Sequence, residues 1–240
     1  MPTPPPTPPR PPGGPARGAG PPSRPAGAKP AAQPRPARPP RPPRLPRRWP
    51  AWLARAGRLL VSPAGEWLAI AGEFTTAGPI YTGYLVPMAA IGPLAATLGT
   101  ALFGERSSLA TLGDTYPMSL GDAVTSGVLE YGLNLAAVSA LAAVIERLAP
   151  LHGAPRNRVQ ALKLAAYGTT PYWLGGALGL FPKLAPIGVL LGLYAIRLFR
   201  LGVGPVLKVP REKAAAYTVL VAIAAILAAL VIGAATRLIV

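Results

Sequence analysis

Residues 80–103 read IYTGYLVPMAAIGPLAATLGTALF, 24 residues without one charged side chain. A helix rising 1.5 Å per residue needs about 20 predominantly apolar residues to cross roughly 30 Å of hydrocarbon. The run at 80–103 is long enough, and residues 214–236 are again free of charge. The bilayer is therefore the solvent for much of this chain. Inside it, each backbone and side-chain polar group needs a partner within the protein.

Between these two runs the pattern continues. A second span is expected at about 123–145. From Leu164 to Val203 only 40 residues remain, interrupted by Pro171, Pro182 and Pro186. That length fits two short helices joined at Phe181-Pro182-Lys183. The expected fold is thus all-α, an integral membrane bundle of five transmembrane helices over 80–240. Loop charge gives its orientation. Arg147, Arg156, Arg158 and Lys163 oppose Glu146 between spans two and three, and Lys208, Arg211 and Lys213 oppose Glu212 between four and five. The loop after the first span carries Glu105, Asp114 and Asp122 against Arg106. All basic segments then share one side, so the N-terminus is expected in the cytoplasm and the C-terminus outside.

Residues 51–79 precede the first span. On a helical wheel Trp52, Leu53, Ala56, Leu59 and Leu60 share a face, with Arg55 and Arg58 beside it. Ser62-Pro63 reads as an N-cap followed by proline at the first helical position. A second short helix would place Trp67, Ile70, Ala71 and Phe74 on one side, leaving Glu66 and Glu73 as a solvated edge. Two such helices just before a span suggest amphipathic anchors lying in the membrane interface.

Residues 1–50 hold 21 of the 33 prolines, and residues 1–58 hold 12 of the 24 Lys/Arg and no acid. The net charge of +16 is mostly a property of this stretch. It has little apolar surface to bury, so disorder with polyproline II character is expected. PxxPxR matches occur at Pro36–Arg41, Pro39–Arg44 and Pro43–Arg48, but a Pro/Arg string produces them freely. Without interleaved aromatics the charge does not make a nucleic-acid site. Anionic lipid headgroups are the expected partner, at about 1 kcal/mol for each Lys/Arg near the surface. No apolar core follows the first basic residues as a secretory signal peptide would require, so Ile80 is expected to begin the first run to enter the membrane.

Enzymatic chemistry finds little support. There is no cysteine, which excludes disulfides, thiolate metal sites and thiol nucleophiles. His152 is the single histidine, so no His-pair metal site exists. Neither a GxxxxGK(S/T) loop nor a GxSxG elbow is present. No cofactor is expected.

The linked strings ERLAPLHGAPRNRVQALKLAAYGTTPYWLGG (146–176) and GLYAIRLFRLGVGPVLKVPREKAAAYT (192–218) resemble the bacterial branch of the Yip1-domain family. LVSPAGEWLAIAGE (60–73) and IYTGYLVPMAAIGPLA (80–95) resemble that branch's N-terminal signature. The resemblance covers roughly 55–240 and leaves the Pro-rich stretch outside. It implies a five-span protein of the inner membrane with a cytoplasmic N-terminus, in agreement with the charge argument. Eukaryotic relatives bind Rab-type GTPases in vesicle traffic, a role that does not carry over to a bacterial chain.

Glu130 departs from that pattern, where a small or apolar residue is expected. A carboxylate near the centre of a spanning helix costs about 2.5–3.5 kcal/mol on insertion scales, less if paired. Asn134 lies one turn on, and Glu130 with Asn134 could hold a proton or cation or make an interhelical hydrogen bond. Arg197 lies too deep to pair with Glu130, whereas Thr97 and Thr100 fall nearer the right depth. Thr169-Thr170-Pro171 is a helix break whose hydroxyls can satisfy carbonyls freed by proline. Small residues at four-residue spacing, Gly175/Gly179, Gly188/Gly192 and Ala225/Ala229/Gly233, permit close helix approach within the chain or in a homo-oligomer.

Two function classes follow. The first is a non-enzymatic membrane organiser that recruits anionic lipid or a protein partner through Arg156, Arg158, Lys163 and Lys208. The second is a small transporter, channel or lipid scramblase using Glu130, Asn134 and the Thr170-Pro171 break.

Overall fold

A computed structural model describes residues 49–107 and 115–239, together with Thr3. The expected disorder of residues 1–50 lies, but for Thr3, Trp49 and Pro50, outside the described residues. Two short helices, α1 (Ala51–Val61) and α2 (Pro63–Gly72), lead into α3 (Ala77–Phe103). A two-stranded antiparallel ribbon follows, β1 (Glu105–Ser107) and β2 (Thr115–Pro117), and then α4 (Leu120–Leu148). The chain continues as α5 (Arg158–Gly168), α6 (Thr170–Gly176), two 3-10 turns, α7 (Ala185–Leu207) and α8 (Ala214–Ile239). The fold is a helical membrane bundle, and the small ribbon is the one departure from all-α among the described residues.

Four segments are long and apolar enough to cross a membrane: Ala77–Phe103, Leu120–Leu148, Pro182–Leu207 and Ala214–Leu238. The expected third span is not among them. It is instead the α5–α6 pair, hinged at Thr169, and every residue from Ala161 to Pro171 is buried. This segment packs against α4 and α7, and protein rather than lipid surrounds it. A segment enclosed by its neighbours does not need the hydropathy of one that faces acyl chains.

Local chemistry explains the boundaries. The Ser119 hydroxyl accepts from the Asp122 N–H at 3.1 Å and caps α4, and the Asn157 side chain accepts from the Gln160 N–H at 3.0 Å to cap α5. Ser62 occupies the expected N-cap of α2 before Pro63, yet its hydroxyl makes no capping bond. At the expected break, Thr169 Oγ1 donates to the Ala165 carbonyl at 2.8 Å and Thr170 Oγ1 to the Tyr167 carbonyl at 2.6 Å. The Thr170 hydroxyl thereby satisfies the carbonyl that Pro171, lacking an N–H, cannot serve. The α6–α7 corner turns at Phe181-Pro182-Lys183, as the prolines indicate.

Helix α7 is the central post of the bundle, packed by α2, α5, α6 and α8. Its crossing with α6 is backbone on backbone: a Cβ on Gly175 would lie 2.4 Å from the Gly188 carbonyl oxygen. Of the four glycines at four-residue spacing, Gly175 and Gly188 make this crossing, whereas Gly179 packs against Ala96 and Gly192 has only ordinary contacts. The α1–α2 pair folds onto the same post, with Ala56, Leu59, Trp67 and Ile70 fully buried. Phe74, expected on that buried side, lies beyond the end of α2 and is exposed.

Candidate functional site

Two polar clusters lie at opposite ends of the bundle. At one end, α1 and α2 fold back on each other about Ser62-Pro63 and bring the arginines of one onto the acids of the other. Arg58 Nε donates to Glu66 at 2.7 Å, and Arg55 Nε lies 3.3 Å from the same carboxylate. Arg55 also grips Glu73 through both terminal nitrogens and donates to the Tyr167 hydroxyl at 3.1 Å. The Tyr84 hydroxyl meets Thr170 Oγ1 at 2.6 Å, and its ring packs edge-on against Tyr167. The expectation that Glu66 and Glu73 form a solvated edge is corrected here. Glu66 is 2% exposed, because the hairpin of α1 and α2 presses it between two guanidinium groups.

Lys163 belongs to the same end. Its Nζ donates to the carbonyls of Ile70 at 2.8 Å and Glu73 at 2.6 Å, closing the C-terminal end of α2. It is 1% exposed, so it faces no external partner. Lys163→Met is expected to lower stability by about 1.5–3 kcal/mol through the loss of a charged donor. Thermal unfolding of the purified protein in detergent checks this.

The other predicted cations are at the surface. Arg156, Arg158 and Lys208 are exposed, and Arg156 reaches Glu146 at 3.2 Å. Lys208 sits at φ 61° where α7 ends. The loops that carry them adjoin: His152 packs edge-on to the Tyr217 ring at 5.0 Å, and Gly153 lies against Pro210.

At the opposite end, the ribbon sets Arg106 directly across from Tyr116, and opposed residues share a face of a sheet. Arg106 Nη2 donates to Glu130 at 2.8 Å, which gives the carboxylate of α4 a charged partner. The expected neighbours of Glu130 are engaged elsewhere. Thr97 Oγ1 donates to the Ala123 carbonyl and Thr100 Oγ1 to that of Ala96. Asn134, buried one turn along, accepts from the Tyr172 hydroxyl at 3.4 Å. Arg237, in the last turn of α8, lies over the Tyr116 ring at 5.3 Å. Arg106 is the residue sequence reasoning missed, counted only as loop charge. Nothing in a short segment after Gly104 signals that it folds back over the bundle.

Between these clusters is a cavity of about 400 Å³ lined from α3, α4, α6, α7 and α8. Glu130 and Asn134 line it, whereas Thr170 and Pro171 do not. Thr170 is fully buried and its hydroxyl is already bonded to Tyr167 and Tyr84. Of the three residues of the break, Thr169 lines the cavity. No group of three or more metal-ligating side chains occurs among the described residues.

Apolar helices of crossing length, joined by a few buried polar contacts, define a polytopic helical membrane protein. Residues 57–233 match the Yip1 domain, and the chain belongs to that family. It is 27% identical to "Inner membrane protein YohC" of Escherichia coli strain K12 over 163 residues, which is 67% of this chain and 82% of that protein. The protein of the same name from Escherichia coli O6:H1 matches equally. No solved structure matches the chain.

Proposed function

We propose that this chain is a five-pass inner-membrane protein without catalytic machinery, its N-terminus in the cytoplasm and its C-terminus outside. In this reading the α5–α6 pair is the fifth crossing. The cytoplasmic end organises the membrane by engaging anionic headgroups, and through residues 1–50 an acidic protein partner. The observation that carries it is the grouping of exposed cations on adjoining loops, Arg156 and Arg158 beside Lys208, Arg211 and Lys213. Each such cation held near an anionic surface adds about 1 kcal/mol of attraction. Lys163 drops out of this face because it is committed to α2.

The test is capture of the full-length protein from its native membrane beside an Arg158→Gln/Lys208→Gln/Arg211→Gln variant and a variant lacking residues 1–50. Mass spectrometry of the accompanying proteins and lipids is the readout. Anionic lipid is expected to fall several-fold with the loop charges, and any protein partner to be lost with residues 1–50. An unchanged set of companions in both variants would overturn the proposal.

A second reading, passage of a solute or lipid through the bundle, is favoured by the cavity at Glu130 and Asn134. It requires that Glu130→Ala abolish a flux in liposomes while the protein remains folded.

A further inference from the structure

We infer that the central cavity binds a membrane amphiphile with an oxyanion headgroup, the anion meeting Arg106 and Arg237 and the acyl chain lying among the small residues of α7 and α8. Arg106 is 3% exposed, and its second terminal nitrogen, Nη1, is buried without a hydrogen-bond partner among the described residues. Arg106 lines the cavity while its Nη2 holds Glu130, so one of its two terminal nitrogens is left without an acceptor among the described residues. An unpaired donor buried in this way is costly, and an acceptor from a ligand removes the cost.

Charge gives the sign of that ligand. Among the described residues, Arg106 and Arg237 line the cavity with Glu130 as the single acid, an excess of one positive charge there. Asp122 lies in the adjoining depression with Arg237, but it accepts from Ser119 and makes no ion pair with Arg237 among the described residues. Tyr116 lies opposite Arg106 in the ribbon and beneath the Arg237 guanidinium. Guanidinium pairs suit phosphate because their planar forks donate two hydrogen bonds to one oxyanion.

Shape gives the rest. Away from the ribbon the walls are largely apolar and small, among them Gly188, Gly192, Ala225, Ala229 and Gly233. At about 400 Å³ the chamber falls within the range of ligand sites, roughly 300–1,000 Å³. A free phosphate would satisfy the arginines and leave an apolar chamber with nothing in it but a lipid chain's worth of space, whereas an anionic lipid fills both ends.

Native mass spectrometry on the full-length, lipid-depleted protein tests the inference. The probes are phosphatidylglycerol, phosphatidylcholine and inorganic phosphate. One phosphatidylglycerol is expected to bind roughly tenfold more tightly than phosphatidylcholine. Arg106→Gln and Arg237→Gln should each remove that preference. Ala229→Phe, which fills the chamber and leaves the arginines, should remove the bound lipid. Arg158→Gln/Lys208→Gln should leave it in place, separating this site from the basic end of the protein. If Arg106→Gln does not fold, Arg237→Gln and Ala229→Phe decide. Equal binding of the two lipids, or a preference that survives in Arg237→Gln, would overturn the inference. Inorganic phosphate binding with full affinity in Ala229→Phe would overturn the lipid assignment and leave a site for a soluble anion.

Discussion

Glu66→Ala is expected to be the most damaging single change outside the apolar spans, at about 3–5 kcal/mol. Its carboxylate, 2% exposed, is the shared partner of Arg55 and Arg58. Removing it leaves two guanidinium groups facing one another in a partly buried site. Arg55 can still hold Glu73, but Arg58 has no other acid among the described residues. Because α2 carries Trp67 onto Gly202 of α7, loss of the pair should loosen the α1–α2 hairpin from the bundle. The measurement is thermal unfolding in detergent, with protease sensitivity near residues 60–75 as a local readout. A combined Arg58→Met/Glu66→Leu protein should recover most of the loss, since apolar replacements of a buried pair are often neutral or better. A Glu66→Ala protein melting within a degree of the parent would refute the account.

The second large effect is expected at the α6–α7 crossing. In Gly175→Val, the first added carbon would fall 2.4 Å from the Gly188 carbonyl oxygen, a contact no side-chain rotation can relieve. Alanine in place of glycine ordinarily favours a helix by about 0.5–1 kcal/mol. Here the clash is backbone against backbone, so even Gly175→Ala should destabilise, and Gly175→Val by about 3 kcal/mol, the upper end for overpacking. Gly192→Ala is the control. Its nearest neighbours are atoms of Tyr172 at 3.9 Å, an ordinary contact, and its stability should be equal to or above the parent's. Equal melting of the two alanine variants would mean that the crossing is not close-packed as described.

The uncharged runs at 80–103 and 214–236 were legible because a bilayer imposes a length and an apolarity that few other environments demand. The helix break at Thr169-Thr170-Pro171 was legible for a related reason: proline frees a carbonyl, and hydroxyls stood next to it in the chain. Glu130 could be singled out as costly, but its partner could not be found, since Arg106 arrives on a ribbon whose return is specified by no periodicity. Lys163 shows the same limit. It was grouped with loop cations by sequence position, whereas its acceptors are main-chain carbonyls of α2, and these carry no side-chain signature at all. Glu66 was misplaced because the relative rotation of α1 and α2 depends on the turn at Ser62, which a helical wheel drawn for each helix alone does not contain.

The enclosed α5–α6 segment bears on how the protein is made. Insertion machinery samples segments as they emerge, and a stretch carrying Lys163 and broken at Thr169 is a poor candidate for stable residence in lipid by itself. Its polar groups find partners in Ile70, Glu73 and Tyr84, all of which lie earlier in the chain. The N-terminal third would therefore already be in place when this segment arrives, acting as a built-in holdfast for it. Biogenesis would then depend on the order of synthesis, and a chain with α1–α3 supplied late or in trans would be expected to stall with its middle segment outside the bilayer.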